Sequence, residues 1–131
     1  MSRLDPFPRG AWVQLGLAIG STNELVGDVG VCIDADDRRA EIGFTLARDA
    51  QGAGLGTEAV RGLIRFIFEQ TGVTEVVAVT DQRNLPAGRL LERVGMRKVE
   101  SLRTVFRGES CVEHVWVISR AAAQGQHASA R

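Results

Sequence analysis

Residues 51–57, Gln-Gly-Ala-Gly-Leu-Gly-Thr, form the segment of this chain with the clearest capacity for chemistry. The glycines at 52, 54 and 56 carry no Cβ, so the backbone can turn its N–H groups towards a single point. The amphipathic stretch that begins near Glu58 predicts a helix, whose first N–H groups and positive dipole end also attract an anion. The sequence therefore predicts a binding site for a pyrophosphate.

Three phosphate-binding patterns compete for this segment, besides a loop with a purely structural role. A Walker loop needs a Lys near its end, and the only lysine, Lys98, is far away, which argues against a nucleoside triphosphatase. Residues 54–59 match the dinucleotide pattern G-x-G-x-x-A, and Asp81, at the end of the next apolar strand, could bind a ribose of NAD. Gln51, Gly54 and Gly56 fit a third pattern, Gln/Arg-x-x-Gly-x-Gly/Ala.

A second block of sequence helps to separate the last two patterns. Asn84 precedes a predicted helix that ends in Val-Gly-Met at 94–96. The two blocks together resemble the GNAT superfamily of N-acetyltransferases, in which the third pattern binds the pyrophosphate of coenzyme A. From Trp12 to Ile118 the order of elements is similar to the branch that contains ribosomal-protein N-terminal acetyltransferases. Two or three hairpin-like strands precede the loop, whereas a dinucleotide domain usually opens with its first strand, so coenzyme A is favoured over NAD.

Apolar periodicity outlines the elements that must position the loop. Alternating or continuous apolar residues predict strands over 11–19, 25–34, 40–47, 73–81, 98–106 and 111–119, with helices over 57–71 and 84–96. The fold class expected from the resemblance is α/β (α+β), with a mixed, mostly antiparallel central sheet, two main helices and a shortened amino terminus. Residues 1–119 are expected to form one domain, and residues 120–131, rich in Ala, Gln, Ser and Gly, a disordered tail.

The resemblance also implies a reaction and a cofactor. Acetyl-coenzyme A, the cosubstrate, would lie where the strand of Glu41 and the strand over 73–81 separate, with its pantetheine amides paired to the open edge of the Glu41 strand. A primary amine, on a protein amino terminus or a small molecule, would attack the thioester directly in a ternary complex. The residues predicted to bind the cofactor are Phe44, Thr45, Leu46, Gln51, Gly52, Ala53, Gly54, Leu55, Gly56, Thr57 and Asn84.

Glu41 is the predicted catalytic residue, either as the general base or as the group that orders a water to deprotonate the amine. The alternative is that Glu41 forms a surface ion pair with Arg39 or a neighbouring arginine. Asn84 has an alternative as well, a plain N-cap of the second helix. Arg89 is interpreted as a surface residue, and His114 and Trp116, which alternate on one strand face, as packing residues.

The chain departs from the family in two respects. It contains no Tyr, although many members use a Tyr near the second helix to protonate the leaving thiolate, and Ala87 stands where the resembling branch often has Ser. Only about ten residues precede the segment that matches from Trp12, so the helices that form one wall of the acceptor site are not expected. A truncated product, an acceptor site completed by a partner, and a coenzyme A-binding module without robust turnover all remain open. We expect a homodimer, with Trp12, Val13 and Leu15 near the covered edge.

Composition sets limits on partners and location. Sixteen basic and sixteen acidic residues give a net charge of zero, so no global field favours nucleic acid or an anionic membrane. No apolar run reaches the roughly 20 residues needed to span a bilayer, and the amino terminus lacks a signal-peptide core, which predicts a cytoplasmic protein. Cys32 and Cys111 are isolated from each other and from any His pair, so no metal site is expected.

Overall fold

The computed structural model describes residues 7–18, 25–46 and 55–129 of the chain. These residues form six strands and three helices. In chain order they are β1 (Trp12–Ala18), β2 (Leu25–Ile33), β3 (Arg39–Leu46), α1 (Leu55–Gln70), β4 (Glu75–Asp81), α2 (Leu85–Arg93), β5 (Arg97–Phe106), β6 (Glu109–Ser119) and α3 (Arg120–Ser129). Each predicted strand is present to within a few residues; Ile19, the predicted end of β1, lies outside the described residues.

The strands form one sheet in the order β1-β2-β3-β4-β6-β5. Four of the five neighbouring pairs are antiparallel, and β3 with β4 is the parallel one. The predicted mixed, mostly antiparallel sheet is therefore confirmed. A doubly wound dinucleotide-binding sheet consists mainly of parallel strands, so this topology does not match the NAD-binding alternative.

The parallel pair is short and then divides. Pairing between β3 and β4 runs only from Arg39 opposite Glu75 to Ile42 opposite Ala78. Beyond that point β3 stays paired with β2 as far as Leu46, and β4 stays paired with β6 as far as Asp81. The two strands therefore separate, and we call the gap between residues 43–46 and 79–81 the cleft.

One face of the sheet carries the hydrophobic core. Residues on this core face include Val31, Ile42 and Ala78, which are all fully or almost fully buried. Helix α1 packs on it through a stripe spaced for a 3.6-residue period: Val60, Leu63, Ile64, Ile67 and Phe68 are buried. Arg61, Arg65 and Glu69, on the other side of α1, are exposed, so the predicted stripe is confirmed.

Helix α2 begins and ends with the predicted local signals. The Asn84 side chain accepts a hydrogen bond from the Ala87 N–H at 3.2 Å, and Pro86 lies in the first turn, where its missing N–H costs nothing. Gly95 follows the helix with φ of 100°, a conformation that side chains with a Cβ rarely adopt. Leu90 and Leu91 then face the core that α1 also covers.

The carboxyl-terminal segment differs from the expectation. A disordered tail from residue 120 was predicted, but Arg120–Ser129 forms α3. The Arg120 guanidinium donates hydrogen bonds to the carbonyl oxygens of Phe68 at 2.7 Å, Thr71 at 2.9 Å and Val73 at 2.7 Å. This anchor joins the start of α3 to the end of α1, so a third, carboxyl-terminal helix adds to the two main helices that were expected.

The hairpin of β5 and β6 is tighter than predicted. A turn over 107–110 was expected, but the strands leave only Arg107 and Gly108 between them. Both residues have positive φ, 53° and 80°, as a two-residue type I′ turn requires.

None of the described helices combines the length and apolar character needed to cross a bilayer.

Candidate functional site

The cleft lies at the end of β3, the strand that precedes α1 in the chain. Strand β3 ends at Leu46 and α1 begins at Leu55, so residues 47–54 lie between a strand and a helix in the chain, as predicted. Gln51, Gly52, Ala53 and Gly54 lie outside the described residues. Gly56 is buried and Thr57 half-buried in the first turn of α1, where backbone N–H groups have no partner within the helix.

Strand β3 supplies one wall of the cleft. Phe44 is half-buried and packs against the core, whereas Thr45 is exposed on the opposite face, as the alternation of a strand dictates. Leu46 is the last residue of the strand. Because the ladder to β4 has ended at Ile42, the β3 backbone facing the cleft has no strand partner among the described residues. Such an edge can pair with an extended ligand that carries amides.

Glu41 lies on the last rungs before the cleft. It is exposed on the face opposite the core, with Cys32 beside it on β2 and Val77 beside it on β4. The suggested partner, Arg39, instead donates from Nε to Glu75 Oε1 at 2.6 Å, so the alternative of an Arg39–Glu41 pair is wrong. Glu41 makes no ion pair with any described residue and remains available to a ligand.

Strand β4 and α2 form the other wall. Asn84 is the N-cap of α2, as the structural alternative predicted, and a contact with coenzyme A stays a prediction. Ala87 is half-buried in the first turn, and Arg89 is exposed. The first turn of α2, residues 85–88, carries no side chain that can donate a hydrogen bond.

Asp81 is a turn residue at the end of β4. Its Oδ1 accepts hydrogen bonds from the Arg83 backbone N–H at 2.8 Å and from Nε at 3.0 Å, and its Oδ2 accepts one from an Arg83 Nη at 2.9 Å. The side-chain hydrogen bonds of Arg83, with its backbone N–H and positive charge, lower the pKa of Asp81 to about 2. Asp81, which the NAD alternative assigned to a ribose, thus uses its carboxylate to stabilise the turn that leads into α2.

The dependence of the melting temperature on pH in the acid range should show the contribution of the Asp81–Arg83 turn. A carboxyl with a lowered folded-state pKa stabilises the fold above its unfolded pKa of about 3.9, and that contribution is lost as the pH falls through about 2. We expect the melting temperature of Asp81→Asn to fall less steeply between pH 4 and 2 than that of the wild type, in thermal unfolding followed by circular dichroism. Asp36→Asn, at an exposed carboxylate with no hydrogen bond to a described residue, should keep the wild-type slope. Equal slopes in all three proteins would contradict the assignment.

A buried hydrogen bond behind the cleft was missed from the sequence. Trp116 Nε1 donates to Thr80 Oγ1 at 2.9 Å, and the two side chains are only 5% and 8% exposed. Trp116 was interpreted correctly as a packing residue, but its polar partner is 36 positions away in the chain. The one sequence signal for this hydrogen bond was the hydroxyl of Thr80 in the otherwise apolar run 76–80.

The remaining candidates lie away from the cleft or have other partners. His114 Nδ1 lies 2.9 Å from Ser101 Oγ on β5 and forms a hydrogen bond with it. Glu113 pairs in register with Asp81. Cys32 and Cys111 are both half-buried free thiols. Among the described residues, no group of three or more His, Cys, Asp or Glu side chains could hold a metal ion.

Comparison with known families identifies the fold. The model of the acetyltransferase (GNAT) domain matches residues 4–97, well over half of the chain. The chain belongs to the GNAT acetyltransferase family. The divided β3–β4 pair and the glycine-rich segment before α1 are thus the elements of a GNAT domain, and the dinucleotide-binding fold considered from the sequence is wrong.

Two curated relatives of this GNAT chain carry the name of uncharacterized N-acetyltransferases. The uncharacterized N-acetyltransferase p20 of Bacillus licheniformis is 29% identical over 107 residues, which cover 81% of this chain and 60% of p20. The uncharacterized N-acetyltransferase YoaA of Bacillus subtilis is 28% identical over 92 residues, 70% of this chain and 52% of YoaA. The chain thus spans about half to three fifths of the length of these relatives.

Solved structures share the fold. A candidate ribosomal-protein-serine acetyltransferase from Vibrio cholerae superposes with a TM-score of 0.72 at 26% identity, over 82% of this GNAT chain and 64% of that one. The spermidine N-acetyltransferase SpeG from the same organism gives a TM-score of 0.77 at 17% identity, over 90% and 71% of the two chains. The second likeness, at this low identity, supports the fold alone.

Proposed function

We propose that this GNAT domain transfers an acetyl group from acetyl-coenzyme A to a primary amine. The observation that carries the proposal is the cleft: two parallel strands separate after four paired residues, and α1 is the next helix in the chain after one of them. The residues present fit a long, amide-containing anion. The free β3 edge can pair with amides, and the first turn of α1 can bind phosphate.

The chain's own groups then have distinct tasks. The β3 edge over residues 43–46 holds the pantetheine arm in an extended form, while Gly56, which has no side chain, lets phosphates approach the N–H groups of α1. Acetyl-coenzyme A supplies an activated acetyl group on a thioester, with a thiol of ordinary acidity as the leaving group. Backbone N–H groups at the top of the cleft can donate to the carbonyl oxygen as negative charge develops, an effect often worth about 3 kcal/mol per donor.

Glu41 is the group that we expect to accept the proton of the amine. It is exposed on the face opposite the helices, one rung before the cleft opens, and it has no counter-ion among the described residues. An acceptor that approaches from this face meets the carboxylate before it reaches the thioester. Glu41 then accepts the amine proton directly or through one water, and the neutral amine attacks.

A coenzyme A-binding domain with little turnover is the second candidate. It is favoured by the first turn of α2, which offers no side-chain donor for the leaving sulfur, and by the absence of Tyr from the chain. The two candidates share the cofactor site and differ in chemistry. A protein amino terminus and a small amine both remain possible acceptors.

Calorimetric titration tests the shared part of both proposals. Acetyl-coenzyme A and coenzyme A should bind with one site per chain, and NAD should give no heat of binding. Tight binding of NAD without binding of coenzyme A would overturn the proposed function. Production of acetylated amine, measured by mass spectrometry over a panel of amines and peptides, then separates the enzyme from the binding domain.

The glycine at position 56 allows a sharper test of the phosphate site. Gly56→Val is expected to weaken coenzyme A binding about tenfold or more, because a branched Cβ in the buried first turn of α1 occupies the space that the phosphates approach. Gly62→Val on the same helix is the matched control, since Gly62 is exposed and a Cβ there meets nothing within 4 Å. The control should keep wild-type affinity. Equal affinity of both variants would place the phosphates elsewhere.

Assembly and location complete the proposal. A homodimer remains predicted, and Trp12, on an edge strand and 51% exposed, is the described residue that best fits such a contact. Val13 and Leu15 instead pack against the core of their own chain.

A cytoplasmic location also stays a prediction.

A further inference from the structure

Thr80 is the buried hydroxyl on the β4 wall of the cleft. Pairing with β3 ends at Ala78, so Thr80 is the next residue of β4 whose side chain lies on the same face as Ala78. It is 8% exposed, and register places it opposite His114 on β6. The hydroxyl therefore belongs to the end of β4 that no longer pairs with β3, on the side of the sheet that carries the helices.

The hydrogen bond from Trp116 determines which further hydrogen bonds the Thr80 hydroxyl can form. The indole N–H donates to Thr80 Oγ1 at 2.9 Å and so occupies one of the two lone pairs of the oxygen, while the O–H stays free to donate. The Thr80 O–H donates to no described residue. A buried donor without an acceptor is costly, and a hydroxyl that already accepts a hydrogen bond becomes a better donor through polarisation.

The indole also locates the hydroxyl relative to α2. A Cβ added at Gly88 would lie 3.3 Å from Trp116 Cζ2, so the six-membered ring of the indole lies close to the first turn of α2. The nearby indole nitrogen donates to Thr80. Thr80 thus lies beneath a helical turn that has no side-chain donor of its own. The hydroxyl is the one buried side-chain donor among the described residues at this corner of the cleft that has no acceptor.

We propose that the Thr80 hydroxyl, oriented by Trp116, donates a hydrogen bond to the sulfur of bound coenzyme A. The proposal rests on the proposed function, which puts the thioester in the cleft. When the amine attacks, the C–S bond breaks and its electron pair stays on sulfur, where the hydroxyl stabilises the thiolate. Thr80 keeps its own proton, Glu41 or water takes the proton of the amine, and solvent later protonates the thiolate.

The decisive measurement is the pKa of the thiol of bound coenzyme A, read from the ultraviolet absorbance of the thiolate as the pH rises. Thr80→Val keeps the shape of the side chain and removes the hydroxyl, and it should raise this pKa by about one unit, as expected for the loss of one hydrogen bond to a charged group. Thr80→Ser, which keeps the hydroxyl, should stay close to the wild type. Where amine transfer is measurable, Thr80→Val should lower kcat about tenfold with little change in KM for acetyl-coenzyme A.

A double variant separates this role from a structural one. Thr80→Val leaves the buried Trp116 N–H without an acceptor and should lower the melting temperature. Thr80→Val combined with Trp116→Phe removes both polar partners, so it should recover part of that loss while the thiol pKa stays raised. A thiol pKa equal to that of the wild type in both variants would overturn the role of Thr80 alone. Failure of the wild type to bind coenzyme A would overturn the proposed function, and the role of Thr80 with it.

Discussion

Replacement of Glu41 by Gln is expected to lower acetyl-transfer turnover at neutral pH by about 100-fold. Glutamine keeps the size of the side chain but cannot accept the amine proton, and loss of a general base typically costs a factor of this order. Affinity for coenzyme A should change little, because Glu41 is exposed on the face opposite the helices, away from the first turn of α1. Steady-state kinetics with the best acceptor, together with calorimetry, separates the two quantities.

The control for this substitution is a carboxylate on the same sheet. Glu100→Gln changes an exposed residue of β5, an edge strand two strands away from β4, and should leave turnover within about twofold of the wild type. A wild-type rate in Glu41→Gln would remove Glu41 from the mechanism. An amine that is already neutral would then attack without help from this side chain.

Replacement of Arg120 by Met is expected to lower the free energy of unfolding by about 2–3 kcal/mol. Methionine fills part of the same volume but leaves the carbonyl oxygens of Phe68, Thr71 and Val73 without the donors that now satisfy them, at about 1 kcal/mol each. The guanidinium also lies 5.0 Å from the centroid of the Phe68 ring, a cation–π contact that the variant loses. Urea unfolding followed by intrinsic fluorescence gives the difference.

The matched control is an arginine without such partners. Arg89→Met in α2 changes an exposed side chain that makes no hydrogen bond to a described residue, and its effect should stay within about 0.5 kcal/mol. If Arg120→Met lost no more stability than Arg89→Met, the three carbonyls would have to find other partners, and α3 would not be needed to close the end of α1.

Local patterns in the sequence were sufficient for most of the elements. The stripe from Val60 to Phe68 follows a 3.6-residue period, and α2 is bounded by an N-cap, a proline and a glycine, so both helices could be placed from neighbouring residues alone. The tail was misjudged for the same reason. Its Ala- and Gln-rich residues carry little apolar signal, and the contacts that hold Arg120 come from carbonyls about 50 positions earlier in the chain.

The site was less accessible to sequence reasoning. No local pattern states where two neighbouring strands stop pairing, and the cleft was expected only because the chain resembles a family. The roles of Arg39 and Thr80 depend on Glu75 and Trp116, each 36 positions away, and a sequence gives no register for such pairs. The glycines of segment 51–57 and Glu41 could be proposed from the sequence because their chemistry is carried by residue type, and their roles stay predictions.

The division of the sheet has a consequence for how the domain holds together. Strands β1, β2 and β3 form one three-stranded unit of local hairpins, and β4, β6 and β5 form a second three-stranded unit in which only β5 and β6 are a hairpin. The strand-to-strand joint between the two units is four residue pairs long and closes a loop that includes all of α1. Contacts this distant in sequence form late and are costly in loop entropy, so this short seam is where the two units can most readily come apart. If the cleft binds an extended cofactor as proposed, the bound molecule would pair with the free β3 edge and strengthen the contact between the two units, so cofactor binding should also stabilise the domain against their separation.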